Sequence, residues 1–183
     1  MKLLITSLRL VVITMLVCVA GYTAIILGFA QMVVPARADG SLVTKDGKIV
    51  GSRLIAQKFT QPQYFWPRPS AADYNAAGAG GSNKSPTSSD LTDRAQTNIV
   101  ASGATAENPL PAELAAASGS GLDPHITEHA VLYQTERVAK ARGLALPKIE
   151  ALVKQQAFAT DGVFVSDRLV NVLELNMALD ETK

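Results

Sequence analysis

Twenty-five consecutive residues, Leu10 to Val34, carry no charge: LVVITMLVCVAGYTAIILGFAQMVV. At about 1.5 Å of rise per residue, a helix of this length exceeds the roughly 30 Å hydrocarbon core of a bilayer. Thr14, Tyr22, Thr23 and Gln31 are its only clearly polar side chains. Gly21, Ala24 and Gly28 fall at i, i+3 and i+7 and would admit a neighbouring helix backbone closely. The alternative is that small residues are simply common in spans. Gly21 and Gly28 are nevertheless candidate contacts with a partner helix.

A cleaved signal peptide competes with a retained anchor. Lys2 and Arg9 form a basic leader, and Ala36-Arg37-Ala38 has the small-x-small form of a cleavage site. Signal h-regions run to about 7–15 residues, however, so length favours the anchor. The sequence therefore divides into a short cytoplasmic N-terminus (1–9), a transmembrane helix (10–34) and an extracytoplasmic domain (35–183). The basic residues flanking the span discriminate poorly, but a long C-terminal domain translocates largely regardless of such charges.

Beyond residue 38 the chain has fourteen basic and sixteen acidic side chains. That near-neutral balance lacks the basic footprint of a nucleic-acid binder or a polybasic lipid patch. The one cysteine, Cys18, lies within the span. The following domain therefore has neither a disulfide of its own nor a thiol nucleophile, and must be held by its core.

Asp46-Gly47, between Ser41-Leu42-Val43 and Lys48-Ile49-Val50, predicts a hairpin, because both central positions of such a turn favour positive φ. Residues 51–59 continue the sheet or pack on it. Residues 60–89 are rich in Pro, Gly, Ser and Asn, the composition of a loop, yet they carry Tyr64, Phe65, Trp66 and Tyr74. Aromatics are scarce in disordered linkers, so the segment is expected to be ordered and irregular. A helix should run from a Ser89-Asp90 cap toward Val100, and a short one from Pro111 to Ala117. Thr127 is placed to cap a helix ending at Arg142 before Gly143, with Glu136 and Lys140 at pairing distance along it. Pro147 can open another helix with Ile149, Leu152 and Val153 on one face. Leu169 to Leu179 fits strand alternation or a helix; a helix capped by Ser166 or Asp167 is the expectation. The fold class is thus one N-terminal transmembrane helix followed by a mixed α+β extracytoplasmic domain.

Motifs for chemistry are sparse. His125 and His129 have a zinc-site spacing but no third ligand nearby, and Thr127 starts a helix between them. Ser118, Ser120, Asp123 and His125 contain the residue types of a hydrolase triad without the G-x-S-x-G nucleophile elbow. Gly78 to Asn83 could offer amides to a phosphate but lacks the Gly-Lys-Ser/Thr ending of a P-loop. Tyr64-Phe65-Trp66 with Arg68 can grip a partner or a sugar, or pack into the core. No catalytic or metal residue is therefore assigned.

The chain carries Gly51-Ser52 with Leu54-Ile55 and Gln57, then Phe65-x-x-Arg68-Pro69-Ser70-Ala71-Ala72, Tyr74-Asn75 and Gly80-Gly81-Ser82-Asn83. Next come Ala117 to Ile126 (ASGSGLDPHI), Tyr133-Gln134, Arg137 to Leu144 and Val170 to Asn176. In this order the blocks together resemble the C-subunit family of the Kdp-type potassium-transporting ATPases. Lys84-Ser85-Pro86, Ala112 to Ala116 and Phe158 to Val165 depart from the family pattern.

The resemblance implies a non-catalytic accessory subunit in the inner membrane. Its implied partners are a potassium-selecting channel-like subunit, an ATP-hydrolysing P-type subunit and a small assembly peptide. It also implies a catalytic-chaperone role that raises the ATPase subunit's affinity for ATP. ATP enters through the family only, and no tightly bound cofactor is expected. Because hydrolysis is cytoplasmic and the domain is not, an effect through the span or through complex stability is easier to reconcile than direct ATP contact. Phe65 to Asn83 and Ser118 to Ile126 are expected to form one ordered surface facing the potassium-selecting subunit. Phe65, Arg68, Asn83, Ser120 and Asp123 are its candidate contacts; the alternative is that they serve the domain's own irregular backbone.

Overall fold

A computed structural model of the chain describes residues 1–160 and 167–182. The chain forms two compact units, Met1–Val50 and Gly51–Lys183.

The first unit is dominated by one continuous helical rod, Lys2–Val33, of 32 residues. It comprises α1 (Lys2–Met15), a π-helical turn (Leu16–Gly21) and α2 (Tyr22–Val33). None of its most apolar window is buried within the protein, which leaves those side chains for lipid or a partner. The helix thus begins well before Leu10, because the N-terminal residues include strong helix formers and no breaker. The π turn has no sequence signal in a uniformly apolar run. Pro35 opens the short α3 (Pro35–Ala38), and β1 (Leu42–Lys45) then pairs with β2 (Lys48–Ser52). Asp46 and Gly47 both have positive φ, +51° and +74°, as the Asp-Gly signal requires.

The second unit is a mixed helix and sheet domain. Its sheet is antiparallel, in the order β3 (His125–Thr127), β5 (Arg168–Asn171), β4 (Phe158–Ala159). Ile126 faces Val170 across β3 and β5, and both are fully buried. Against this sheet pack α6 (Glu128–Arg142), α7 (Leu146–Gln156) and α8 (Val172–Glu181). They contribute Val131, Val138, Ile149, Val153, Leu175 and Leu179 to one core. Two further helices, α4 (Ser89–Ser102) and α5 (Ala112–Ala115), lie between the irregular segment and β3.

Thr127 caps α6 through its hydroxyl oxygen, which accepts the Ala130 N–H at 3.1 Å, and Gly143 closes the helix at φ +65°. Pro147 lies in the first turn of α7, where Ile149 and Val153 are buried. Three expectations are corrected. The residue before α4 is Ser88, without a side-chain capping bond, rather than Ser89 or Asp90. Glu136 and Lys140 make no ion pair among the described residues, since both are exposed and solvation competes successfully. Residues 168–181 are a strand followed by a helix, capped by Asn171, whose Oδ1 accepts the Glu174 N–H. Ser166, one of the caps expected there, lies outside the described residues.

Candidate functional site

Two irregular segments meet beside the core. The first, residues 60–83, is held by buried side-chain amides that each engage one residue's backbone through both polar groups. The Phe65 N–H donates to Asn176 Oδ1 at 2.8 Å, and Asn176 Nδ2 donates to the Phe65 carbonyl at 3.0 Å. Gln134 does the same to Trp66, at 2.9 and 3.0 Å. Arg137 donates to the carbonyls of Pro62 and Tyr64 and to Gln134 Oε1, while its guanidinium lies 3.8 Å from the Trp66 ring centroid. Burial draws the Arg137 pKa down to about 10, leaving it charged at neutral pH. Arg142 adds a bond to the Gln63 carbonyl and an ion pair with Asp180 at 2.7 Å.

The second segment, residues 118–124, clasps the first through backbone bonds. The Ser118 N–H donates to Pro69 O at 2.8 Å, and the Gly80 N–H donates to Ser120 O at 2.7 Å. Ser70 joins the two: its hydroxyl donates to Gly121 O at 2.7 Å and accepts the N–H groups of Ala72 and Tyr74. The approach is close enough to require glycine. A Cβ on Gly81 would stand 2.8 Å from Gly119 O, and one on Gly121, at φ +70°, would stand 2.8 Å from Gly80 O. Tyr74 donates its hydroxyl to the Arg68 carbonyl at 2.9 Å; burial first, then the Asp73 charge, pushes its pKa up to about 12.

Phe65 is fully buried and takes the core-packing role, so its ring is unavailable to a partner, contrary to its place among the candidate contacts. Its apolar surface is better shielded within the core than beside it. Arg68 is half-buried, 3.6 Å from Asp123 Oδ2, and its Nε is shut off from solvent without a hydrogen-bond partner. Asp123 also accepts the His125 N–H. Ser120 is exposed, its hydroxyl oxygen accepting the Leu122 N–H, and Asn83 is exposed at φ +51°. Gly28 in the span has nothing within 4 Å of a notional Cβ, whereas Gly21 has the Leu16 carbonyl at 3.5 Å.

Ser118 and Ser120 face each other at 3.3 Å, but neither hydroxyl is bonded to His125 among the described residues. The imidazole instead lies near Asp123 (3.8 Å) and the Asn171 amide (3.5 Å). His125 is on β3 and His129 on α6; the described residues contain no group of three or more His, Cys, Asp or Glu placed to hold a metal. The Gly78 and Gly80 amides donate to Asn75 O and Ser120 O, so this glycine run does not fit a phosphate cradle.

Asn176 and Gln134 are the residues that reading by motif missed. Their signal is a polar amide on an otherwise apolar helix face, the expected appearance of a buried amide that serves a distant backbone.

A long apolar N-terminal helix and a mixed domain with a loop clasp fit a single-pass membrane protein whose conspicuous polar residues organise its own backbone. The model of the family described as "K+-transporting ATPase, c chain" (KdpC) matches residues 4–181, and the chain belongs to that family. It is 60% identical over 184 residues to the potassium-transporting ATPase KdpC subunit of Parvibaculum lavamentivorans, covering 100% of this chain and 98% of that protein. The subunits of the same name from Paraburkholderia phytofirmans and Methylococcus capsulatus are 44% and 45% identical, covering 95% and 87% of each chain pair.

Proposed function

We propose that the chain is a non-catalytic accessory subunit of an ATP-driven, high-affinity potassium uptake complex. Its span anchors it in the inner membrane with the N-terminus cytoplasmic and residues 35–183 outside. The clasp docks on the potassium-selecting subunit, and the complex also holds the ATP-hydrolysing subunit and the small assembly peptide. The observation that carries this reading is the use of the clasp's polar groups. Its two segments are tied by the Ser118 to Pro69, Gly80 to Ser120 and Ser70 to Gly121 bonds, while Arg68, Asn83, Ser120 and Asp123 remain partly exposed on its rim. A preorganised polar rim recognises a partner without ordering cost.

The family's effect on ATP affinity is then indirect. The Gly78 to Asn83 run does not fit a phosphate, and the domain and the nucleotide lie on opposite sides of the bilayer in this topology. Binding one conformational state of the ATPase subunit more tightly than another raises nucleotide affinity without contact with the nucleotide. Potassium-limited growth of a deletion strain tests the assignment. Complementation by Ser118→Ala/Ser120→Ala is expected to be full. Failure of a stably folded double variant would support a hydrolase, and a deletion without growth defect would remove the transport role.

A further inference from the structure

Beside the clasp, on the face formed by α4 and α6, lies a cleft of about 380 Å³ that the docking role does not use. We propose that it is a binding site for a small monocarboxylate on an apolar stem. Its volume falls within the roughly 300–1,000 Å³ of small-molecule sites. Phe59, Trp66, Leu110 and Leu114 provide apolar wall, and Ala101 leaves the α4 side open.

The charges in the cleft set the ligand's chemistry. Lys58 is neutralised by Asp73 at 2.7 Å. Arg137 is committed to two carbonyls, Gln134 and the Trp66 ring. Arg94 is different: its Nη1 is shut off from solvent with no hydrogen-bond partner, and no carboxylate lies within ion-pair distance among the described residues. Asp90, one turn earlier on the same helix, feels the Arg94 charge but is paired with Lys84 at 2.6 Å. A guanidinium N–H shut off from water without an acceptor is costly, and a carboxylate can offset that cost through a charge-assisted pair. Arg137 keeps its charge but has spent its N–H groups on neutral acceptors, so among the described residues of the cleft the guanidinium with an N–H group to give a ligand is that of Arg94, which suits a single carboxylate. A polyanion such as a nucleoside triphosphate would set several charges against one free donor group and against Asp73.

The chain's only tryptophan, Trp66, lines the cleft and reports its occupancy. Trp66 fluorescence of the full-length chain in non-ionic detergent is titrated with hexanoate, and with 1-hexanol, hexylamine and ATP as comparators. Hexanoate should give a saturable change at concentrations at least tenfold below those needed for the others. Arg94→Gln should weaken it at least tenfold, and so should Ala101→Phe, which fills the cleft and leaves the charge in place, each with an unchanged melting midpoint. A response equal for hexanol, one retained in Arg94→Gln, ATP binding as well as hexanoate, or no saturable response would each overturn the assignment. None of these outcomes bears on the docking role, which the growth assay tests separately.

Discussion

Replacing Asn176 by alanine should loosen the segment on which the clasp is built. Asn176 is 2% exposed and Phe65 fully buried, so no water replaces the lost amide without rearrangement. The Phe65 N–H and carbonyl would both lose their partner. Each buried group left unsatisfied costs about 1–3 kcal/mol, giving about 2–6 kcal/mol in all. Against the roughly 5–15 kcal/mol that holds a typical domain, this is a large fraction. A drop of about 10 °C in melting midpoint follows from about 3 °C per kcal/mol for a domain of this size. Gln134→Ala removes the same pair of bonds from Trp66 and the acceptor of Arg137 Nη2, but Trp66 and Arg137 are only half-buried, so water can replace these partners and the loss should be smaller. Thermal unfolding of the full chain in detergent, followed by Trp66 fluorescence, measures both. If Asn176→Ala melts within about 2 °C of the parent, or Gln134→Ala costs more, the argument that the two amides hold the loop by burial is wrong.

Four other outcomes are expected. Gly121→Ala, which sets a Cβ at positive φ against Gly80 O, should destabilise by about 1–3 kcal/mol in denaturant titration, while Gly119→Ala, with nothing within 4 Å of the new Cβ, should stay near the parent. The Tyr74 phenol keeps its proton to about pH 12, whereas an unfolded tyrosine loses it near 10, so its contribution to stability is complete below pH 10 and lost between these values; Tyr74→Phe should remove that part of the alkaline decline in melting midpoint. A C-terminal alkaline phosphatase fusion should be active and the mature mass should be that of the uncleaved chain; a chain beginning at Asp39 would refute the anchor. Replacing Gly21 and Gly28 by Leu should reduce co-purification of the other subunits with insertion intact, and unchanged yield would mean that these glycines are incidental.

What was legible in the sequence was local. Asp46-Gly47 announces its turn because two adjacent positive φ values have few chemical solutions. Thr127 and Gly143 bound α6 because orphan backbone groups at helix ends require such residues. The three-stranded sheet was not legible: strands of two to four residues are too short for alternation to stand out, and β5 passes directly into α8, which blurs both periods. The amide clamps were hidden for another reason. They join residues 111 and 68 positions apart, and nothing in the local pattern around Asn176 or Gln134 states which backbone each will meet. The meeting of the two glycine-rich segments was expected from their composition. The correction at Phe65 shows that a motif's largest apolar residue is the one its own core takes first.

The docking claim is tested most directly by Arg68→Ala. The Arg68 side chain contacts Asp123 at 3.6 Å with both groups partly exposed, an interaction worth about 0–1 kcal/mol, and its carbonyl, which holds Tyr74, survives the substitution. The full chain should therefore melt within a few degrees of the parent, while recovery of the assembled complex and potassium uptake fall together. A variant that assembles and transports normally, or one that chiefly unfolds the isolated chain, would contradict the role given to this surface.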